Sequence, residues 1–252
     1  MRAECRRILK DFNPVSLDKL DSVRLLNRVD TKFVFNANIL PSILKELISS
    51  YFVLEINRIR DFEYNTLYFD TPDLNYYQQH QRGKLNRTKV RHRTYVDSKT
   101  GYFEVKFKTN KGRTIKKRLL HNKVTFDDKQ AQDFFKNVVN INPNNLIPQI
   151  WIKYNRITLV NPTLTERITI DLNLQFTKNN IFFSPYESLI IAEVKQDRKC
   201  SNSEFLNLMK KHRIKEGAIS KYCLAIATTN EAVKKNNFKE KIQSLNKLVH
   251  VN

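Results

Sequence analysis

The chain is 252 residues long, and its 40% hydrophobic content is enough to bury the core of one sizeable domain. Its 45 Lys and Arg residues outnumber 25 Asp and Glu residues, and the resulting net charge of +20 predicts a polyanionic partner. No apolar stretch approaches the roughly 20 residues needed to cross a bilayer, and the first residues do not resemble a secretory signal. Three widely spaced cysteines also argue against a disulfide framework or a thiolate metal site. We therefore expect a cytoplasmic protein.

The hydrophobic pattern predicts one α+β domain over residues 1–252, with a core at about 12–228 and a polar, basic tail at 229–252. Eight segments are rich in β-formers and mostly alternate between polar and apolar residues. Short Gly-containing turns near Gly101 and Gly112 make part of this sheet antiparallel. The predicted strands are 28–35, 65–70, 88–96, 102–108, 113–121, 153–160, 165–172 and 189–196, and the predicted helices are 38–50, 127–138, 203–211 and 219–228. The tail shows a weak helical pattern at Ile242, Leu245 and Leu248.

Charged residues recur at every second position of the predicted strands, so they share one face of the sheet. The opposite face carries apolar residues such as Val29, Phe33, Phe103, Phe107 and Val194, which need a core. A single strand of this kind would normally show a solvated face, but so many like charges on one sheet favour a bound polyanion. The charged face comprises Arg28, Asp30, Lys32, Lys89, Arg91, Arg93, Glu104, Lys106, Lys108, Lys116, Arg118, Arg156, Arg167, Asp171, Glu193 and Lys195.

A sheet of about eight strands can close into a barrel whose interior is wide enough for a small ligand. We expect such a closed antiparallel barrel, with helices outside and the charged face lining a tunnel for a phosphate chain. Asp30, Glu104 and Asp171 are interpreted as ion-pair partners of the surrounding cations. Glu193 is the candidate ligand for Mg²⁺ or Mn²⁺, because these ions often bind through one carboxylate together with substrate phosphates.

Other binding modes fit the sequence less well. The four glycines form no P-loop, Rossmann or kinase glycine motif, and the five histidines form no HExxH pair. A nucleic-acid binder would combine basic residues with exposed stacking aromatics. Here Phe33, Phe103 and Phe107 alternate onto the apolar face. We therefore expect no nucleic-acid partner.

Eight short strings occur in a characteristic order along the chain. They are NRVDTKFVF (27–35), LYFDT (67–71), KVRHRTY (89–95), FEVKFK (103–108), YNR (154–156), RITID (167–171), AEVK (192–195) and SKY (220–222). Together they resemble the VTC domain in its stand-alone bacterial form. That domain is the polyphosphate polymerase module of the vacuolar transporter chaperone complex and is a member of the triphosphate tunnel metalloenzymes. The resemblance extends from about Phe12 to Thr228 and implies ATP and inorganic polyphosphate as substrates.

The resemblance also implies roles for individual residues. Glu193 would carry the divalent metal, typically Mn²⁺, Ser220 would assist phosphate binding, and Tyr154 would lie near the nucleotide. Lys32, Arg91, Arg93, Lys106, Arg156 and Lys221 would contact the reacting phosphates, and Lys116 would bind substrate. The strand pattern adds Arg28, Lys89, Lys108, Arg118, Arg167 and Lys195 as substrate-binding residues.

Three activities remain open at this stage. A polymerase would transfer the γ-phosphate of ATP to a polyphosphate end, a tripolyphosphatase or NTPase would use water instead, and a binding module would only hold the ligand. The oligomeric state is undetermined. If the protein associates with a membrane, we expect a membrane-protein partner that receives the product.

Overall fold

The computed structural model describes residues 1–21, 29–196, 202–217 and 219–249. All eight predicted strands are present, and three short strands were not predicted from the sequence. Strand β8 begins six residues before its predicted start and β4 three residues before. The strands are β1 (Asn13–Val15), β2 (Val29–Asn36), β3 (Phe52–Leu54), β4 (Phe62–Asp70), β5 (Arg87–Tyr95), β6 (Thr100–Lys108), β7 (Thr114–Leu120), β8 (Ile147–Val160), β9 (Glu166–Lys178), β10 (Ile181–Tyr186) and β11 (Leu189–Gln196).

Three of the helices, α5 (Lys129–Asp133), α6 (Glu204–Lys211) and α7 (Lys221–Thr229), begin after a residue whose side chain caps the first turn. Ser203 accepts from the Leu206 amide and Asp128 from the Ala131 amide, which satisfies backbone donors at the first turn. The predicted helix at 127–138 is a short α-helix continued by a π-helical turn at Phe134–Val138. Within the described ranges, no helix is long and apolar enough to span a bilayer. The helices are α1 (Arg2–Leu9), α2 (Leu17–Asp21), α3 (Leu40–Leu47), α4 (Asn75–Gln81), α5 (Lys129–Asp133), α6 (Glu204–Lys211), α7 (Lys221–Thr229) and α8 (Lys239–Val249).

The sheet follows the order β2-β11-β9-β8-β4-β5-β6-β7, and every pair along this path is antiparallel. Strand β10 forms an antiparallel pair with β9. Strand β3 pairs antiparallel with β8 and parallel with β1. Within the described residues, β2 and β7 form no ladder with each other, so the sheet is open. The prediction of a large antiparallel sheet with helices is confirmed, but the predicted closure into a barrel is not found.

Alternation along the strands separates a basic face from two apolar cores on the opposite face. The first core joins β2, β8, β9 and β11 to α1, α3 and α6, and it buries Phe33, Ile170 and Val194. The second lies against Phe134 and Phe135 and buries Phe103. Of the five residues named above for the apolar face, Phe33, Phe103 and Val194 are buried. Val29 and Phe107 are exceptions, because they lie near strand ends and are 43% and 37% exposed.

A third apolar cluster occupies part of the basic face. Helix α7 packs there with Tyr222, Leu224 and Ile226 buried, and α8 adds Leu245. The ring of Tyr222 stacks on Tyr68 of β4, with centroids 5.0 Å apart. These helices cover the apolar portion of this face, and beside them Lys32 and Lys89 line an open cavity.

Candidate functional site

Strand register places the cations of β5, β6 and β7 in transverse rows. Lys106 is opposite Lys89 on one side and Lys116 on the other. The next row contains Glu104 between Arg91 and Arg118. Like charges opposite each other in a sheet are destabilising, and the cations of these two rows outnumber their one carboxylate.

Glu104 is the one carboxylate in these two rows, and it is 1% exposed. It accepts a hydrogen bond from Arg91 at 2.7 Å, pairs with Lys116, and lies 3.8 Å from Arg93. Burial alone would raise its pKa, but the charges of Arg91, Arg93 and Lys116 outweigh that effect and lower it. Glu104 therefore orients the arginines, as expected for an ion-pair partner.

Lys106 has no ion-pair partner among the described residues. Burial, together with the charges of Arg91, Lys116 and Arg93, lowers its pKa to about 6. The pKa of Lys89 is also lowered, chiefly by burial. A polyanion would provide the counter-charge that these lysines lack.

Arg156 and Asp171 form a second cluster on the same face. The guanidinium donates two hydrogen bonds to the carboxylate, at 2.6 and 2.7 Å, and Lys221 donates to the same carboxylate at 2.5 Å. Tyr64 and Tyr154 stack beneath them with centroids 5.2 Å apart. Arg156 lies over both rings, and Lys221 lies 4.7 Å from the Tyr154 centroid. Tyr154 is only 2% exposed, and its ring makes cation–π contacts with Arg156 and Lys221.

The two clusters meet across Tyr64 and at the start of α7. Arg93 and Arg156 lie over the same Tyr64 ring, 5.4 and 5.1 Å from its centroid. The hydroxyl of Ser220, the N-cap of α7, accepts a hydrogen bond from Lys89 at 2.9 Å. The next residue, Lys221, reaches the Asp171 of β9. Cations from both halves of the sheet and from a helix N-terminus thus converge on one charged site, which is called the cleft below.

Glu193 lies between two lysines, pairing with Lys32 across the ladder and with Lys195 at 2.5 Å. Their charges lower its pKa although burial opposes this, and burial lowers the pKa of Lys195 to about 8. The Glu193 side chain is 21% exposed, compared with 1% for Glu104 and 5% for Asp171. Of these three carboxylates it is therefore the most accessible to an arriving ion.

The donor set around Glu193 fits a metal only when phosphate oxygens complete the coordination. In the part of the chain that the structure describes, no three His, Cys, Asp or Glu side chains are grouped to hold an ion. One accessible carboxylate suits Mg²⁺ or Mn²⁺, which usually bind through one or two carboxylates and the substrate phosphates. The lysine partners would then be released toward the phosphates.

The remaining predicted residues occupy varied positions. Arg118 stacks against Tyr102 at 5.4 Å, and Lys108 lies opposite Arg87 at the end of the β5–β6 ladder. Arg167 lies on β9 opposite Lys195. Arg28 falls outside the described residues. Sequence reasoning missed Tyr64, Tyr68, Arg87 and Lys241, although Arg87 shares strand parity with Lys89 and Arg91.

Comparison with known protein families shows which family this chain belongs to. The family model of the VTC domain matches residues 27–230, which cover most of the chain and every cationic cluster described above. The chain belongs to the VTC domain family. The family match confirms the resemblance to the VTC domain that the eight sequence strings indicated. A search of curated proteins finds no match.

Solved structures resemble this VTC domain in fold at low sequence identity. A candidate adenylate cyclase from Bacillus halodurans is 12% identical, covers 82% of this chain and all of its own, and gives a TM-score of 0.51. A candidate adenylyl cyclase from Hippeastrum, with a dominant triphosphatase activity, is 10% identical, covers 80% of this chain and 96% of its own, and gives 0.52. At this level of identity the neighbours show a shared fold, and the family match supports a polyphosphate-related function.

Proposed function

We propose that this VTC domain is a polyphosphate polymerase that transfers the γ-phosphate of ATP to the end of a polyphosphate chain. The observation that carries the proposal is the cleft in which Arg91, Arg93, Arg156 and Lys221 converge while Lys106 lacks a counter-ion. Phosphoryl transfer requires mainly positioning and positive charge around the migrating group. The cleft provides both, and neither requires a nucleophilic side chain.

The arginines supply planar donors for bidentate contacts with phosphate oxygens, and the lysines act as point charges. In the reaction, a terminal oxygen of the polyphosphate attacks the γ-phosphorus in line. The bond from that phosphorus to the β–γ bridging oxygen breaks, and ADP leaves with the electron pair. The chain then carries one additional phosphate.

Lys106 and Lys195 would compensate the charge that develops on the phosphates during transfer. Ser220 and Lys221 would hold one end of the ligand at the positive N-terminus of α7. Glu193 would hold a divalent ion together with phosphate oxygens, and the ion would neutralise phosphate charge when bound. Lys32 and Lys195, its present partners, would then contact the phosphates.

The experiment is incubation of the purified protein with ATP and Mn²⁺ or Mg²⁺, followed by gel analysis of chain length and measurement of released orthophosphate. Long chains support the polymerase, whereas orthophosphate without chains supports a triphosphatase. The triphosphatase activity of the Hippeastrum structural neighbour makes hydrolysis the second candidate. Tight binding without turnover under any metal condition would leave only a binding module.

A matched pair of variants on β7 tests whether the cleft carries the activity. Lys116 faces Glu104, whereas its neighbour Lys117 is exposed on the opposite face of the strand. We expect Lys116→Ala to lower kcat/KM by about tenfold or more, because it removes one phosphate contact. Lys117→Ala should retain wild-type activity. Equal effects of both variants would contradict the placement of the reaction on this face.

A further inference from the structure

The C-terminal segment lines an open cavity beside the cleft although it lies beyond the family match, which ends at residue 230. An open cavity of about 680 Å³ extends from Lys32 and Lys89 to Asn237, Phe238 and Lys241. Sequence patterning alone indicated a peripheral tail here. The structure instead places this segment against the same space that the strand cations face.

Several contacts hold the segment in place. Leu245 is 5% exposed in the apolar cluster around α7, and the backbone oxygen of Leu248 accepts a hydrogen bond from Asn36 of β2 at 2.7 Å. At the other end, Asn237 donates to the Gln81 backbone oxygen at 2.7 Å, and Tyr77 donates to that of Lys234 at 2.9 Å. The segment therefore connects α4, beside β5, with the edge strand β2.

Lys241 joins two strand cations in the lining of this cavity, where the cations outnumber the carboxylates Asp30 and Glu216. Arg87 and Lys108 are directly opposite each other in the β5–β6 ladder, and both line the cavity with Lys241. His80 lines the same cavity, and burial together with the charges of Lys89, Arg87, Lys241 and Lys108 lowers its pKa to about 3. Opposed like charges destabilise a sheet unless an anion binds between them.

We propose that Arg87, Lys108 and Lys241 form a distal anion subsite, in which the C-terminal helix holds the polyphosphate chain beyond the reacting phosphates. The subsite rests on the proposed function and adds to it a preference for long chains. Arg87 precedes Arg91 by four residues, and at about 3.3 Å per residue the two positions are about 13 Å apart along the strand. A tripolyphosphate bound at Arg91 and Arg93 leaves the subsite empty, whereas a longer chain reaches it.

The test compares binding of tripolyphosphate with binding of a long polyphosphate of defined length, in the absence of nucleotide. We expect Lys241→Glu to weaken long-chain binding by about tenfold, since each phosphate-facing cation contributes roughly a several-fold factor and the charge is reversed. Tripolyphosphate binding should change by less than about twofold, because that ligand ends before the subsite. Lys241→Arg should bind the long chain as the wild type does.

Lys247→Glu is the matched control, because it makes the same charge change on an exposed residue of the same helix that does not line the cavity. The subsite is overturned if Lys247→Glu and Lys241→Glu weaken long-chain binding equally, or if Lys241→Glu weakens both ligands equally. If the wild-type protein makes polyphosphate chains from ATP, the polymerase proposal stands after either result. A wild type that binds the long chain no better than tripolyphosphate would also overturn the subsite, whether or not ATP is turned over.

Discussion

Lys106 lies directly opposite Lys89 in the β5–β6 ladder, and neither lysine forms an ion pair within the described residues. The pKa of Lys106 is lowered to about 6, and that of Lys195 on the other side of the cleft to about 8. At neutral pH the free protein therefore holds Lys106 largely uncharged. A bound polyanion would favour the charged form, so ligand binding and protonation are coupled.

The first prediction concerns the pH dependence of tripolyphosphate binding. Since the ligand raises the pKa of both lysines, binding takes up protons, and affinity should fall as pH rises from about 7.5 to 9. Terminal phosphates, with a pKa of about 6, are already ionised in that range. Calorimetry in buffers of different ionisation heat should show proton uptake on binding.

Lys106→Arg provides the control for this coupling, because arginine stays charged over the whole range. The variant should take up fewer protons and show a flatter pH profile than the wild type. Equal proton uptake by both proteins would show that Lys106 is not the coupled group.

The second prediction is that Lys106→Met stabilises the free protein while weakening ligand binding. The folded-state pKa of Lys106 lies below its unfolded value, so between pH 6 and about 10 the native state binds fewer protons. The contribution of this residue to the free energy of unfolding is therefore unfavourable at pH 7 and improves as pH rises. Methionine removes that penalty, and we expect a gain of about 1–2 kcal/mol by denaturant unfolding.

Lys117 is an exposed residue on the face of β7 opposite Lys116. Lys117→Met should therefore leave both the free energy of unfolding and ligand binding nearly unchanged. If Lys106→Met were less stable than the wild type, the side chain would have to contribute more through packing than it costs through desolvation.

Strand alternation made much of the site predictable. Period-two patterning is local, so it identified eight strands and assigned Arg91, Glu104 and Lys106 to one face before any pairing was known. Tyr64 was missed because it precedes the predicted start of its strand, although it shares parity with Tyr68 and Asp70. Its place on the charged face follows from the pairing of β4 with β5 and β8, which the local pattern does not determine.

Features that depend on contacts distant in sequence could not be predicted in this way. Closure of the barrel requires β2 to meet β7, and no local pattern determines whether they do. The position of α8 likewise depends on Asn36 and α4, more than 150 residues away. Gly101 was interpreted as a turn residue, but it lies in β6, where an added Cβ would be 2.7 Å from the backbone oxygen of His121.

The third prediction distinguishes Glu193 as a metal ligand from Glu193 as an ion-pair partner. If the carboxylate holds the ion with phosphates, Glu193→Gln should lower metal-dependent kcat by about a hundredfold or more. Binding of tripolyphosphate in EDTA should be unchanged or tighter, because Lys32 and Lys195 lose their internal counter-charge. Weaker binding in EDTA together with normal metal-dependent turnover would contradict the metal role.

The fourth prediction concerns Glu104, whose carboxylate is more deeply buried than that of Glu193. Its carboxylate is 1% exposed and contacts Arg91, Arg93 and Lys116, so Glu104→Gln leaves several buried cations without compensation. Removing one partner of a buried ion pair typically costs about 3–5 kcal/mol, and we expect a loss in this range by denaturant unfolding. Bound tripolyphosphate should restore part of the lost stability, since its phosphates replace the missing charge. A variant as stable as the wild type without ligand would show that the guanidinium groups do not depend on Glu104 for their charge balance.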